Sequence, residues 1–363
     1  MEQKKVLFFM NNLRVSNGVS SYAMNYYRRI VKLGISCDFL LTERVDSPYN
    51  DEVEQNGGKI FVAPSIKKHF FKARKFMEEL INKGGYDIIH CHMMYLGIPF
   101  LHAGKRCNTP VRIVHSHRTQ SGENIFKRAV GGALKPFIIR GANKYFACSL
   151  LAGKCLFGKK DFTVIYNAVE PESYFFNMEA RLKKRIELGL EDKKVIGAVG
   201  RIAKQKNPYF IIDIAKAVFK KDKDAVLIWI GTGPLSEKIQ SAVKEQRLDD
   251  KIIFLGNRSD MCELYQAMDV FLLPSLFEGL PVVGVEAQFA DLPCVFSDTI
   301  TEEVVLNKKA CFVPLKKSAD EWADTVLKKI NGDVRRRYSL DEIPEQYDID
   351  KAAVRLAQLY KGL

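Results

Sequence analysis

The run Val195-Ile196-Gly197-Ala198-Val199-Gly200-Arg201-Ile202-Ala203-Lys204-Gln205-Lys206-Asn207-Pro208 passes from an apolar stretch through a glycine to cations and into a helical pattern. This strand-loop-helix order belongs to a parallel sheet, in which each strand ends on a loop leading to a covering helix. Toward the C-terminus, apolar runs recur at Ala225–Ile230, Lys251–Leu255, Val270–Pro274, Pro293–Phe296 and Ala310–Val313. Toward the N-terminus they lie at Val6–Met10, Cys37–Leu41, Lys59–Val62, Asp87–His90, Val111–His115, Lys144–Ala147 and Phe162–Ile165. Helical patterns alternate with them, so the expected class is α/β with doubly wound parallel sheets. The rhythm breaks once, over Asn167 to Glu179, where Pro171, Tyr174, Phe175 and Phe176 show no clear period. A domain boundary is placed there, near 168–175, with domains over 1–170 and 171–347. The segment 348–363 has Ala352, Ala353, Leu356, Leu359 and Tyr360 at helical spacing and reads as one terminal helix.

With 363 residues, 47% of them hydrophobic, the chain is long enough to bury two cores. Met1-Glu2-Gln3-Lys4-Lys5 leads into only a short apolar run before Asn11 and Asn12, a first strand rather than a signal segment. No window approaches the roughly 20 apolar residues of a membrane helix, so a soluble or peripheral protein is expected. The eight cysteines, Cys37, Cys91, Cys107, Cys148, Cys155, Cys262, Cys294 and Cys311, form no C-x-x-C pair. They suggest neither a zinc cage nor a disulfide framework and fit a reducing cytoplasm. The net charge of +13 is uneven: residues 1–168 hold 26 Lys+Arg against 12 Asp+Glu, and the rest 30 against 31. Either the first half faces something anionic, such as phospholipid headgroups, a lipid pyrophosphate or nucleic acid, or its basic face is simply solvated.

Ligands of doubly wound sheets bind beyond the carboxyl ends of the strands, and four places there draw attention. In Asn11-Asn12-Leu13-Arg14-Val15-Ser16-Asn17-Gly18-Val19-Ser20-Ser21-Tyr22 a strand gives way to a helix, and Gly18 would let a phosphate approach the helix N-terminus. The same pattern is also ordinary turn chemistry, and no G-x-G-x-x-G fingerprint is present. His90-Cys91-His92 and His115-Ser116-His117 each end a strand, with alternate residues on one face. No carboxylate or thiolate joins them at a recognised metal spacing; they read as satisfied buried imidazoles or as neutral donors to a sugar hydroxyl. Arg201 and Lys206, after Gly200, combine a planar fork with a point charge suited to a diphosphate leaving group. Each taken alone could equally be a surface ion-pair partner. In Pro274-Ser275-Leu276-Phe277-Glu278-Gly279-Leu280-Pro281-Val282-Val283-Gly284-Val285-Glu286, Glu278 falls in a strand-to-helix loop and Glu286 within an apolar helix. A buried Glu286 demands either an ion pair or ligand hydroxyls. Gly279 and Leu280, before Pro281 near N1, offer backbone amides to a phosphate.

Taken together, these residues resemble the GT-B glycosyltransferases of family 4, over nearly the whole chain, particularly the branch that builds capsular and exopolysaccharides. The E-x7-E element from Glu278 to Glu286 carries the resemblance, supported by Gly200-Arg201 and Lys206-Asn207. The resemblance implies two Rossmann-like domains facing a cleft, the first binding the acceptor and the second the nucleotide sugar, with helix 348–363 crossing back to the first. It implies that Arg201 and Lys206 bind the donor diphosphate, that Glu286 holds the ribose, and that Glu278, with the Gly279 and Leu280 amides, contacts the donor sugar. Gly18 would approach the phosphates from the first domain. His117 would hydrogen-bond the transferred sugar, with His115 the alternative. Retaining transfer of a hexosyl or N-acetylhexosaminyl group is implied, from a nucleotide diphosphate sugar, UDP-linked, to a saccharide acceptor, lipid-linked, without metal or cofactor. Asp222-Lys223-Asp224 is the nearest approach to a metal-binding Asp-x-Asp and lies in a charged connection.

Two departures from the family pattern stand out. Asn17-Gly18 replaces paired glycines, with Asn17 tolerating left-handed geometry, and Asp291 stands where the family has glycine. Lys67-Lys68-His69-Phe70-Phe71-Lys72 and the stretch from Phe126-Lys127-Arg128 to Lys135-Pro136-Phe137-Ile138-Ile139-Arg140 mix cations with large apolar residues. They would rest on an anionic membrane, peripherally on the inner face of the plasma membrane. A sugar-nucleotide epimerase or phosphorylase on the same fold is the rival enzyme. A non-catalytic nucleotide- or nucleic-acid-binding protein is the rival of another class, without any recognised binding-module signature to support it.

Overall fold

Each apolar run is a strand in the computed structural model, displaced by no more than a residue at either end. β1 Lys5–Met10, β2 Ser36–Leu41, β3 Ile60–Val62, β4 Ile88–Cys91, β5 Val111–Ser116, β6 Lys144–Ala147 and β7 Thr163–Val164 form one sheet. β8 Lys194–Val199, β9 Ala225–Ile230, β10 Ile252–Gly256, β11 Val270–Leu273, β12 Cys294–Ser297 and β13 Ala310–Val313 form the other. The structure describes residues 3–15, 17–66, 68–118, 125–332 and 334–363, less the side chains of 125–129. Of the residues named above, Met1, Glu2, Ser16, Lys67 and the side chains of Phe126, Lys127 and Arg128 therefore lie outside the described residues.

All the strand pairings are parallel, in the orders β3-β2-β1-β4-β5-β6-β7 and β10-β9-β8-β11-β12-β13. Both faces of such sheets are covered, and β9, β11 and β12 are accordingly buried at every position. In each sheet the chain runs outward from one central strand, then returns to that strand's other side. The reversal falls between β1 and β4 and again between β8 and β11. Helices leave these neighbouring strands toward opposite faces, so the ground beyond their carboxyl ends stays open. The motif-bearing loops after β1, β4, β8 and β11 all start there.

The chain divides into two compact units, Met1–Ala168 with Asp348–Leu363, and Val169–Tyr347. In the first, the last helix, Ile349–Gly362, begins where Asp348 accepts from the amides of Asp350 and Lys351. Its Ala353, Leu356 and Tyr360 face the core with Tyr22, Tyr26, Tyr27 and Ile30 of the helix Gly18–Ile30. An Arg29–Asp350 pair at 2.9 Å and a Lys361 Nζ bond to the Leu33 carbonyl at 2.9 Å hold its rim. The second unit is built around Trp229 and Trp322, both under 2% exposed, with Phe219, Ile211 and Leu272.

Leu356 is 1% exposed, and Leu356→Ala should destabilise the first unit by about 2–5 kcal/mol. Both tryptophans lie in the second unit, so urea unfolding followed by far-UV circular dichroism should shift more than unfolding followed by tryptophan fluorescence. Identical shifts by the two probes would show that the units unfold as one.

Candidate active site

After β8 the backbone turns at Gly200, where φ is +132°. A Cβ there would meet Lys206 Cε at 2.7 Å and displace the lysine, but it is the turn that requires glycine. The loop then makes one 3-10 turn, Lys204–Lys206, and Pro208 opens the helix Pro208–Lys221. This brings Lys206 Nζ to 2.8 Å from Glu278 Oε1, with only 14% and 8% of the two side chains exposed. Ser275 Oγ donates to Glu278 Oε1 and Gln205 Nε2 to Oε2, each at 2.9 Å. The Leu276 amide donates to the Gln205 carbonyl at 2.8 Å, tying the loop after β11 to the loop after β8. Ser297 and Thr299 hydroxyls in turn donate to the Ser275 carbonyl at 2.6 and 2.7 Å. A charge so little exposed is tolerable only when paired and hydrogen-bonded, and every member of this network meets that condition. Arg201, by contrast, is exposed and makes no hydrogen bond or ion pair among the described residues, so its guanidinium is available to an anion.

Glu286 follows in the short helix Val282–Phe289. Pro281 is its N-cap rather than its first helical residue, so Gly279 and Leu280 sit in the turn before the helix. No ion pair holds Glu286 among the described residues. The Tyr265 hydroxyl donates to its Oε2 at 2.8 Å and the Tyr174 hydroxyl also bonds the carboxylate. Burial raises the Glu286 pKa, opposed by the two phenols and by the nearby Lys206 charge. Asp291 follows the C-cap Ala290 at φ +53°, and its buried carboxylate explains why glycine is absent there. Asp291 Oδ2 accepts from Lys309 Nζ and the Arg336 amide, both at 2.5 Å, bonds that glycine could not make.

In the first unit, Asn17 does not take the left-handed geometry expected of it. At φ −104° it is the N-cap of helix Gly18–Ile30, and its side chain accepts from the Val19 amide at 3.0 Å. Gly18 is exposed, with nothing within 4 Å of where a Cβ would stand. At the carboxyl ends of β4 and β5 the four histidines pack as two stacked pairs, His90 on His92 with centroids at 4.3 Å and His115 on His117 at 4.2 Å. Hydrogen bonds link the pairs: His90 Nε2 to His115 Nδ1 at 3.1 Å, and His92 Nδ1 to His117 Nε2 at 2.8 Å. His90 Nδ1 meets the Tyr360 hydroxyl at 2.6 Å. Tyr22 lies edge-on to both His115 and His117, centroids 5.1 Å away. Burial holds all four imidazoles neutral, and His117, the least buried of them, falls to about 3. The ligating nitrogens of His90, His92 and His115 lie within 4.8 Å of one another, a spacing a metal ion could use. Both nitrogens of His90 are already engaged, however, so a metal would have to displace a hydrogen bond there.

Of the residues named from sequence, Lys206, Glu278 and Glu286 are thus gathered within the second unit beside Gly279 and Leu280. Arg201 shares the loop of Lys206 but makes no hydrogen bond or ion pair with them, and Gly18, His115 and His117 occupy the first unit. Sequence reasoning missed Gln205, Ser275, Tyr174, Tyr265, Tyr22 and Tyr360. It also missed Gly231-Thr232-Gly233 after β9, although a G-x-G directly after a strand was visible. A Cβ on Gly231 would lie 2.4 Å from the Gly200 carbonyl oxygen and one on Gly233 2.4 Å from that of Ile202, so these glycines let the two loops touch.

Residues 193–331 match the family model described as glycosyl transferases group 1, and residues 16–173 match that of glycosyltransferase family 4. The chain is a glycosyltransferase with a family 4 domain followed by a group 1 domain. The putative glycosyltransferase EpsF of Bacillus subtilis is 29% identical to it over 371 residues, covering 99% of this chain and 96% of EpsF. An Escherichia coli UDP-Gal:alpha-D-GlcNAc-diphosphoundecaprenol alpha-1,3-galactosyltransferase is 27% identical over 278 residues, 72% of this chain and 71% of that enzyme. Anabaena Alr3699/HepE, solved with UDP-glucose, superposes with a TM-score of 0.77 at 16% identity over 99% of this chain and 98% of its own, and shows the same GT-B fold.

The neutral histidine cluster of this glycosyltransferase has a consequence for stability. Unfolded imidazoles take up protons near pH 6.5 while the folded ones do not, so stability is full above that pH and falls as pH drops toward about 3. Each imidazole that stays neutral removes about 1.4 kcal/mol per pH unit within that window. The urea midpoint should therefore fall between pH 7 and pH 5, well above the range in which carboxylates protonate. A flat midpoint over that interval would mean that the cluster titrates normally.

Proposed function

We propose that this glycosyltransferase moves a hexosyl or N-acetylhexosaminyl group, with retention at the anomeric carbon, from a UDP-linked sugar to a lipid-linked saccharide during surface polysaccharide assembly. The buried Lys206–Glu278 pair beside the unengaged Arg201 carries this reading. It sets a cation for a diphosphate and a carboxylate for sugar hydroxyls 2.8 Å apart, on loops locked by Gln205 and Ser275. The UDP donor and the lipid-linked acceptor find support in the galactosyltransferase relative, whose name specifies both.

In this mechanism Arg201, Lys206 and the amides of Gly279 and Leu280 stabilise the departing diphosphate, while Glu286 holds the ribose. The bond from the anomeric carbon to the diphosphate oxygen breaks, and the acceptor hydroxyl bonds that carbon on the same face. The acceptor proton passes to an oxygen of the leaving diphosphate. Glu278 and His117 orient the sugar, and Gly18 leaves room for the phosphates. The fixed cations supply the charge that a divalent ion would otherwise bring, so transfer proceeds in the presence of a chelator and without a cofactor.

The acceptor's lipid suggests where the enzyme works, peripherally at the cytoplasmic face of the plasma membrane, with no nucleic-acid partner. Phe71 is 74% exposed at the start of the helix Phe70–Gly84, next to exposed Lys68, Lys72 and Lys75; Phe137 is exposed on the helix Ile125–Gly141 near Arg140. Apolar rings among cations suit an anionic bilayer surface.

Removing one preorganised stabiliser costs about 2.7–4 kcal/mol of barrier. Lys206→Ala and Glu278→Gln should each lower turnover a hundredfold or more in a chelator-containing assay with UDP-sugars, with folding intact by circular dichroism. Near-normal turnover in a folded Lys206→Ala protein would refute the assignment. In a flotation assay at low salt the protein should rise with anionic but not neutral liposomes, and Phe71→Asp should weaken that binding; no flotation with either lipid would remove the membrane from the reading.

A further inference from the structure

Three buried polar atoms around the carboxyl ends of β4 and β5 have no hydrogen-bond partner among the described residues: Tyr22 Oη, His92 Nε2 and His115 Nε2. Such atoms are rare in folded proteins, and three around one cluster of rings mark a place where an oxygen-bearing ligand or water completes the bonding. What His115 offers to that ligand depends on which of its nitrogens carries the hydrogen. The answer lies at the other end of a chain that runs from Tyr360 through His90 to His115.

The Tyr360 hydroxyl is fully buried, and its partner is His90 Nδ1. If it donates, His90 must carry its hydrogen on Nε2 and give it to His115 Nδ1, which leaves His115 with an Nε2–H. If it accepts instead, its own O–H has no acceptor and His115 Nε2 becomes an unpaired lone pair. Both arrangements make two hydrogen bonds and leave one donor and one acceptor unpaired: the His115 Nε2–H and the phenol oxygen in the first, the phenol O–H and the His115 Nε2 lone pair in the second. The second strands the stronger donor and the stronger acceptor, and the 2.6 Å contact between Tyr360 and His90 has the short separation of a hydroxyl donor, so the first is selected. Burial keeps both rings neutral, so neither gains a second hydrogen that would erase the difference.

We propose that Tyr360, on the C-terminal helix, sets the tautomer of His115 through His90, so that His115, edge-on to the Tyr22 ring, presents an Nε2–H donor to an acceptor oxygen of a bound carbohydrate. Tyr360 and His90 are then positioning residues, and His115 touches the carbohydrate together with His117, on which it stacks. The carbohydrate ligand rests on the glycosyl-transfer reading above; the tautomer does not. The terminal helix thereby does more than cover the core, because its last turn decides whether the site donates or accepts.

The experiment records long-range 15N–1H correlations of histidine-labelled full-length protein, wild type and Tyr360→Phe, with turnover measured in parallel. The wild type should show His90 and His115 as pure Nε2–H tautomers. Tyr360→Phe should turn both into mixtures, since phenylalanine neither donates nor accepts. His115→Phe should lower kcat at least tenfold, Tyr360→Phe should lower it less with KM for the donor unchanged, and adding Tyr360→Phe to His115→Phe should have no further effect. A wild-type His115 carrying its hydrogen on Nδ1, or a Tyr360→Phe spectrum unchanged from wild type, would overturn the relay. A shifted tautomer with unaltered kcat in both single variants would overturn its role toward the carbohydrate. Absence of turnover in the wild type would instead strike at the glycosyl-transfer reading, and the spectra would still decide the relay.

Discussion

Parallel strands can be joined only by crossovers, and those crossovers are almost always right-handed, so a chain that builds a wide parallel sheet around one early strand must reverse direction once. In this protein the reversals occur beside β1 and β8. Everything chemically notable follows from them. The loops that leave β1, β4, β8 and β11 hold Gly18, His92, Arg201 with Lys206, and Glu278, and the ends of β4 and β5 carry the other histidines. The remaining strands serve to bury those central strands on both faces, where their apolar side chains leave no room for polar function.

Within this frame the two units handle polar burial in opposite ways. The second unit places a full positive and a full negative charge side by side and satisfies both, with Gln205 and Ser275 taking the remaining positions on the Glu278 carboxylate. The first unit buries four imidazoles in their neutral form and joins them by shared hydrogens, leaving donors and acceptors unpaired at one end. A buried ion pair gives up affinity for its partner when an anion competes for the lysine, whereas a neutral relay changes only the direction of its hydrogen bonds. The first arrangement suits a charged diphosphate, the second an uncharged sugar hydroxyl.

Asp291 illustrates how a departure from a family pattern is repaired locally. A left-handed residue other than glycine carries a modest conformational penalty, which asparagine and aspartate bear best. Here the side chain that creates the penalty also gathers Lys309 and the backbone of Arg336, binding the strand β13 region and the segment before the last helix to the end of the Glu286 helix.

The sequence by itself determined the alternation of strands and helices, because apolar periodicity and turn residues act over a few neighbours; all thirteen runs are strands among the described residues. It also pointed to Glu278, Glu286, Arg201 and Lys206, since charged residues beside glycine at strand ends are conspicuous in one dimension. It gave no sign of Tyr360, which stands 270 residues from His90, nor of Gln205, 73 residues from the carboxylate it holds. It misjudged Asn17, whose role as a cap depends on where the helix starts. Those contacts belong to tertiary structure alone, because a hydrogen bond is decided by distances of a few tenths of an ångström between groups that only the folded sheet brings together.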